Sequence, residues 1–120
     1  MATARPPLRY VRIVYAWIED HRGHAKLRPA VVITDDRDIG PGAPIVVMAV
    51  TTTFPDPTPR DCVPLPWHPR SHPITRLNRR SAAVISWLST IGVADVTGYG
   101  GDVPVKVMHQ IESRLDELEE

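Results

Sequence analysis

This sequence predicts a mostly-β α+β fold, a small barrel of short strands followed by a C-terminal amphipathic helix, on three observations. Short runs of β-branched and aromatic residues recur between turn-forming segments, the composition that pleated, half-buried strands favour. Thirteen prolines stand in the 120 residues, outside the interior of the one stretch with helical periodicity, as suits strands joined by stiff loops. Near the end, Met108, Ile111, Leu115 and Leu118 fall at the spacing of a helix that buries one apolar stripe. The length suits one domain with one core and is too short for two.

The elements follow in order. Residues 1–9 form a loose N-terminal segment, with Pro6-Pro7 blocking regular structure, and residues 10–120 form the single domain. Tyr10 to Ile18 alternates and is rich in Val, Ile, Tyr and Trp, so it is the first strand. A polar loop, Glu19 to Leu27, contains Gly23, and Pro29 then opens the second strand, where proline is tolerated as a first residue. Asp35 to Pro44 is turn-forming and leads to a third strand, Ile45 to Thr52. After the proline-laden loop Phe54 to Arg60 come a short strand, Cys62 to Leu65, and a second long loop, Pro66 to Arg80. Ser81 to Ile91 is apolar and suits either a buried strand or a short helix. Gly100-Gly101-Asp102 is a break and possible cap, and Pro104 sits where the first turn of the last helix accepts it.

Fourteen Lys and Arg balance fourteen Asp and Glu, so bulk charge argues for neither a nucleic-acid nor a membrane partner. The distribution is less even. Arg60, Arg70, Arg76, Arg79 and Arg80 with His68 and His72 face only Asp61, whereas the C-terminal end holds Glu112, Asp116, Glu117, Glu119 and Glu120. A polyanion would meet the first region and avoid the second. No apolar run approaches a signal peptide or a membrane span, and the lone Cys62 cannot form an internal disulfide. A cytoplasmic location and a semi-buried structural thiol are expected.

Chemistry concentrates at two strand ends. Arg28 stands before the run Pro29-Ala30-Val31-Val32-Ile33, and Thr51, Thr52 and Thr53 end the run that starts at Ile45. A guanidinium fork and a rotatable hydroxyl on adjacent strands can grip one phosphate. The plainer readings are, for Arg28, an exposed strand-edge charge or a structural ion pair with Asp35 or Glu19, and threonines that merely suit a strand. His21, Arg22, His24 and Lys26 make the first loop cationic. No matching third and fourth metal ligands stand at recognisable spacing, and the Asp35, Asp36, Asp38 cluster lacks the glycine and glutamate of a calcium loop. There is no phosphate-cradling glycine motif, serine elbow or carboxylate pair on one element. Trp17, Trp67 and Trp87 read as core or loop-packing residues rather than base-stacking platforms, with Trp67, between Pro66 and His68, expected to be the most exposed of the three.

A first strand, a Gly23-His24 loop ending in Arg28-Pro29, the strand Ala30 to Ile33, a second apolar strand ending in Thr, a proline-rich excursion and a final helix resemble, in that order, the MazF/PemK (Kid) toxins. The resemblance spans roughly Tyr10 to Leu118. It implies an SH3-like barrel acting as a homodimeric endoribonuclease that cuts single-stranded RNA at a short sequence. No metal or cofactor is implied, and a cognate antitoxin with an acidic disordered segment neutralises such a toxin. The ribose 2'-hydroxyl attacks the adjacent phosphorus, which requires a base, a stabiliser of the phosphorane and an acid. By motif, Arg28 would stabilise the scissile phosphate, Thr51 would hydrogen-bond it, and His24 would serve as acid or base. His21, Arg22, Lys26, Thr52 and Thr53 would bind substrate around them. The chain departs from the pattern at Tyr10-Val11-Arg12, where a Gly-Asp is usual, and at Ala25, where a glutamate is common. Around Val84 and Ser86 it lacks the Arg and Asp of the PemK branch. Those departures keep open an alternative, a non-catalytic barrel module of the same fold that binds protein or nucleic acid.

Overall fold

The computed structural model describes residues 8–119. Six strands alternate with loops: β1 (Arg12–Glu19), β2 (Ala25–Val32), β3 (Ile45–Thr51), β4 (Cys62–Leu65), β5 (Ser81–Ile91) and β6 (Val96–Asp102). One helix, α1 (Val105–Glu119), ends the chain. The strands form one antiparallel sheet in the order β4-β5-β3-β2-β1-β6. The architecture is the expected mostly-β one, barrel-like but open, with β4 and β6 as its edges. No helix among the described residues is long and apolar enough to cross a membrane.

Because side chains alternate along a strand, β1 to β3 feed two cores. Ile13, Val31, Met48 and Val50 pack with Met108 and Ile111 of α1. Val14, Ala16, Ile18, Ala30, Val32, Ile45 and Val47 bury the opposite face, with Ile39 and Trp87 packed against them. Each fully buried Val or Ile contributes about 1.5–3 kcal/mol, so a sheet filled on both faces is well held. The helix stripe holds through Met108 and Ile111, with Leu115 packed beside them, whereas Leu118 is exposed. The carbonyl of Pro104 accepts the Met108 N–H at 2.9 Å and so starts the helix.

Several expectations are corrected. Pro29 does not open β2 but lies inside it opposite Tyr15, and β2 begins at Ala25. A proline is tolerated there because pairing with β3 starts only at Ala30, leaving that side of β2 an edge. Arg28 is therefore a strand residue rather than a loop one. Ser81–Ile91 resolves as a strand, gripped by β3 on one side and β4 on the other. Gly100-Gly101-Asp102 is not a break but the end of β6, which pairs with β1. Glycine is needed at 101 because a Cβ there would lie 1.8 Å from the Ile74 carbonyl oxygen. Of the segment expected to be loose, residues 1–7 lie outside the described residues, while Leu8 is buried and Arg9 forks onto Asp102 at 2.6 and 2.8 Å. Trp17, expected to pack, is half exposed, as is Trp67.

Candidate active site

Arg28 faces Ala16 across the β1–β2 ladder and reaches past the end of β1. Its Nε donates to the Ile18 carbonyl at 3.4 Å, and one Nη stands 4.0 Å from an Asp20 carboxylate oxygen. The guanidinium also lies over the Trp87 ring, 4.8 Å from its centroid. Trp87 is fixed in turn by donating its Nε1–H to the Glu19 carbonyl at 3.2 Å. The Arg28 side chain remains 21% exposed. It is held on three sides and open on the fourth, which is the state of a group that is oriented yet able to meet a ligand. Its carboxylate partner is Asp20, neither Asp35 nor Glu19.

Asp20 organises the β1–β2 hairpin. One carboxylate oxygen accepts the backbone N–H of Arg22 at 2.8 Å and of His24 at 3.0 Å. The other stands 4.0 Å from both Arg28 and the His24 Nδ1. The hydrogen bond from the His24 backbone, with that from Arg22, lowers the Asp20 pKa from its ordinary value against the opposing effect of burial. Gly23 makes the tight turn possible with a left-handed φ of +80°. His24, His21, Arg22 and Lys26 are all exposed around this hairpin.

Thr51 ends β3 opposite Ala82 of β5. The β2–β3 ladder ends at the Ala30–Ala49 pair, two residues short of Arg28 and Thr51 on their strands. The Thr51 hydroxyl is engaged in its own turn, donating to the Thr53 carbonyl at 3.0 Å and accepting the Thr53 N–H at 3.1 Å. Thr52 and Thr53 are exposed beyond it. Beside Trp87 opens a cavity of about 440 Å3, lined by Glu19, Asp20 and His21 from the hairpin and by Val84, Ser86 and Leu88 from β5.

Residues missed in the sequence complete this surroundings. Val84 and Ser86 bring no carboxylate themselves, but Asp61, just before β4, accepts the Ser86 hydroxyl at 2.5 Å and its N–H at 3.2 Å. The signal was hidden because it depends on β4–β5 pairing rather than on residues near each other in sequence. Of the basic region, Arg60 pairs with Glu117 of the acidic α1 at 3.0 Å. Cys62 is buried, and burial raises its thiol pKa, with the Asp61 charge adding to the effect.

An open, mostly-β sheet with a C-terminal helix and an arginine held at the β1–β2 hairpin defines a small barrel-like domain with a candidate anion site. The chain belongs to the PemK-like, MazF-like toxins of type II toxin-antitoxin systems, whose family model matches residues 9–118. Among solved structures it resembles MazF from Deinococcus radiodurans, with a TM-score of 0.74 at 15% identity over 93% of this chain and 96% of that one. It also resembles the Mycobacterium tuberculosis toxin MazF-mt6, with a TM-score of 0.69 at 19% identity over 88% and 93% of the two chains. A third likeness is to an endoribonuclease in complex with its cognate antitoxin from a mycobacterial species, with a TM-score of 0.67 at 18% identity over 92% of each chain. Nothing among curated proteins matches.

Proposed function

We propose that this toxin is a metal-independent endoribonuclease that cuts single-stranded RNA at a short sequence. The observation that carries the reading is Arg28, oriented by Asp20, Trp87 and the Ile18 carbonyl while its outer side stays open. In the reaction the ribose 2'-oxygen bonds to phosphorus as its proton passes to a base. The 5'-oxygen then leaves with a proton from an acid, giving a cyclic phosphate and a 5'-hydroxyl. The phosphorane between them carries extra negative charge, which a pre-oriented guanidinium stabilises; one such donor is worth about 10²–10³ in rate. Thr51 adds a hydroxyl donor once it leaves its turn, and His24 at the hairpin takes or gives a proton. His21, Arg22, Lys26, Thr52 and Thr53 surround the phosphate path.

A cognate antitoxin, seen with one of the similar structures, is the partner that silences this site, through an acidic disordered segment laid over the same cationic hairpin. Trp17 and Leu27, partners across β1 and β2 and each about half exposed, form an apolar surface that a second copy of the chain covers in a homodimer. The lone buried Cys62 fits a reducing cytoplasm.

The test is direct. Purified protein in EDTA is expected to cut a long single-stranded RNA to fragments with 5'-hydroxyl ends, and Arg28→Ala to abolish cutting. Intact RNA under every dimer-forming condition overturns the enzyme reading, and RNA binding without cleavage would identify a non-catalytic module instead.

A further inference from the structure

A second basic cleft lies at the other end of β1 from the hairpin. Arg9, Arg12 and Arg76 line a cavity of about 310 Å3 together with Gly100, Gly101 and Asp102. Three guanidinium groups and the Asp102 carboxylate stand in this lining. Arg9 forks onto Asp102. Arg12 donates to the Gly100 carbonyl at 2.9 Å and lies 5.4 Å from the centroid of the exposed Tyr99 ring. Burial and the neighbouring charge of Arg9 lower the Arg12 pKa from its ordinary value, with Arg76 adding to them and Asp102 opposing. An arriving anion relieves that crowding.

The cleft is built rather than accidental. The loop that carries Arg76 is pinned to β6, since Gly101 N–H donates to the Thr75 carbonyl and Asp102 N–H to the Ile74 carbonyl, both at 3.0 Å. Buried Thr75 locks the same loop by donating its hydroxyl to the Pro66 carbonyl at 2.7 Å and accepting the Leu77 N–H at 3.1 Å. On β1, Arg12 stands four positions before Ala16, the register partner of Arg28, about 13 Å at ~3.3 Å per residue.

We propose that this cleft binds a backbone phosphate of the same single-stranded RNA, a few nucleotides away from the phosphate held at Arg28. The proposal rests on the RNA reading of the Arg28 site. Guanidinium forks match phosphate oxygens, and the exposed Tyr99 ring beside them gives a base a face to stack on. That ring favours nucleic acid over an acidic peptide, which brings carboxylates and no base.

The probe is 2'-O-methyl RNA, which lacks the attacking hydroxyl, as a dinucleotide and as a strand of about ten nucleotides, titrated across salt against the full chain. Arg76 is exposed, and its N–H rather than its side chain bonds His72, so R76Q and R76E spare the fold. R76E is expected to weaken the longer RNA about tenfold, to lower its salt slope by about 0.7, and to leave the dinucleotide unaffected. R28A weakens both probes. Unchanged affinity and slope for R76E, or equal loss on both probes, overturns the cleft while leaving the Arg28 reading intact. Loss of affinity for polyglutamate without loss for RNA also overturns it and gives the cleft to an acidic peptide. A wild type that loses RNA affinity on R76E yet never cuts RNA supports the cleft and overturns the nuclease; one that binds no RNA overturns both.

Discussion

The Arg28 guanidinium carbon lies 4.8 Å from the centroid of the Trp87 ring, and Trp87 is itself tied to β1 through the Glu19 carbonyl. A cation over an indole face gains about 0.5–2 kcal/mol, enough to decide where a four-bond side chain spends its time. Trp87→Ala is expected to lower the cutting rate about tenfold by freeing Arg28, with RNA affinity changed less. Trp87→Phe keeps a ring under the cation but loses the Nε1–H donor, so it should fall between. Single-turnover cleavage with a parallel melting curve separates loss of orientation from loss of packing; equal rates for all three proteins would remove Trp87 from the argument.

Asp20 links the hairpin turn to Arg28, and its lowered pKa fixes a sign. A carboxyl whose folded pKa lies below its unfolded one stabilises the folded state above the unfolded value and loses that contribution as pH falls through the folded one. Wild type is therefore expected to lose melting temperature on acidification below the ordinary carboxylate range. Asp20→Asn, which keeps an acceptor for the Arg22 and His24 N–H groups but carries no charge, should lack that component of the loss. Melting temperature against pH for the two proteins is the measurement, and coincident acid limbs would sink the claim.

The glycines separate two kinds of constraint. Gly101→Ala must push its Cβ into the Ile74 carbonyl, 1.8 Å away, and should cost about 3 kcal/mol or more. At Gly23 nothing lies within 4 Å of an added Cβ, and only the left-handed φ of +80° opposes it, so Gly23→Ala should cost about 1–2 kcal/mol. Denaturant unfolding of the two variants gives the comparison. A Gly101→Ala protein as stable as wild type would mean that the loop of Ile74 to Arg76 is not clamped to β6.

What the sequence made legible follows the range of the interactions. Strands β1 and β3 were readable because β-branched alternation is local, and α1 because Met108, Ile111 and Leu115 repeat within one helix. Strand β6 was not, because Gly98, Gly100 and Gly101 erase the pattern, and the reason for Gly101 is the carbonyl of Ile74, in a loop far back in the chain. Arg28 stood out from its place before an apolar run. Its partners did not, since Asp20 sits eight residues back and Trp87 reaches it only once the sheet has folded. The pairing of Asp61 with Ser86 and the gathering of Arg9, Arg12 and Arg76 are likewise products of topology. Trp17 read as a packing residue because an indole is apolar, but it lies on the face opposite buried Ala16 and Ile18, past the core that Ile13 enters, and is half exposed.

Thr51 gives the sharpest separation between catalysis and structure. Its hydroxyl now closes a turn with the Thr53 backbone, donating at 3.0 Å and accepting at 3.1 Å, so contact with a phosphate requires exchanging one bond for another. Thr51→Ser keeps the hydroxyl and should keep most of the cutting rate. Thr51→Val keeps the shape and removes the donor, which predicts a loss of about 10²-fold in cutting against about 1 kcal/mol or less in stability, because the lost turn bonds face solvent. The two quantities are read from cleavage rate and denaturant midpoint on the same preparations. If Thr51→Val cut as fast as wild type, the hydroxyl would be a turn closer alone, and Arg28 would have to stabilise the phosphorane with help from the hairpin rather than from β3.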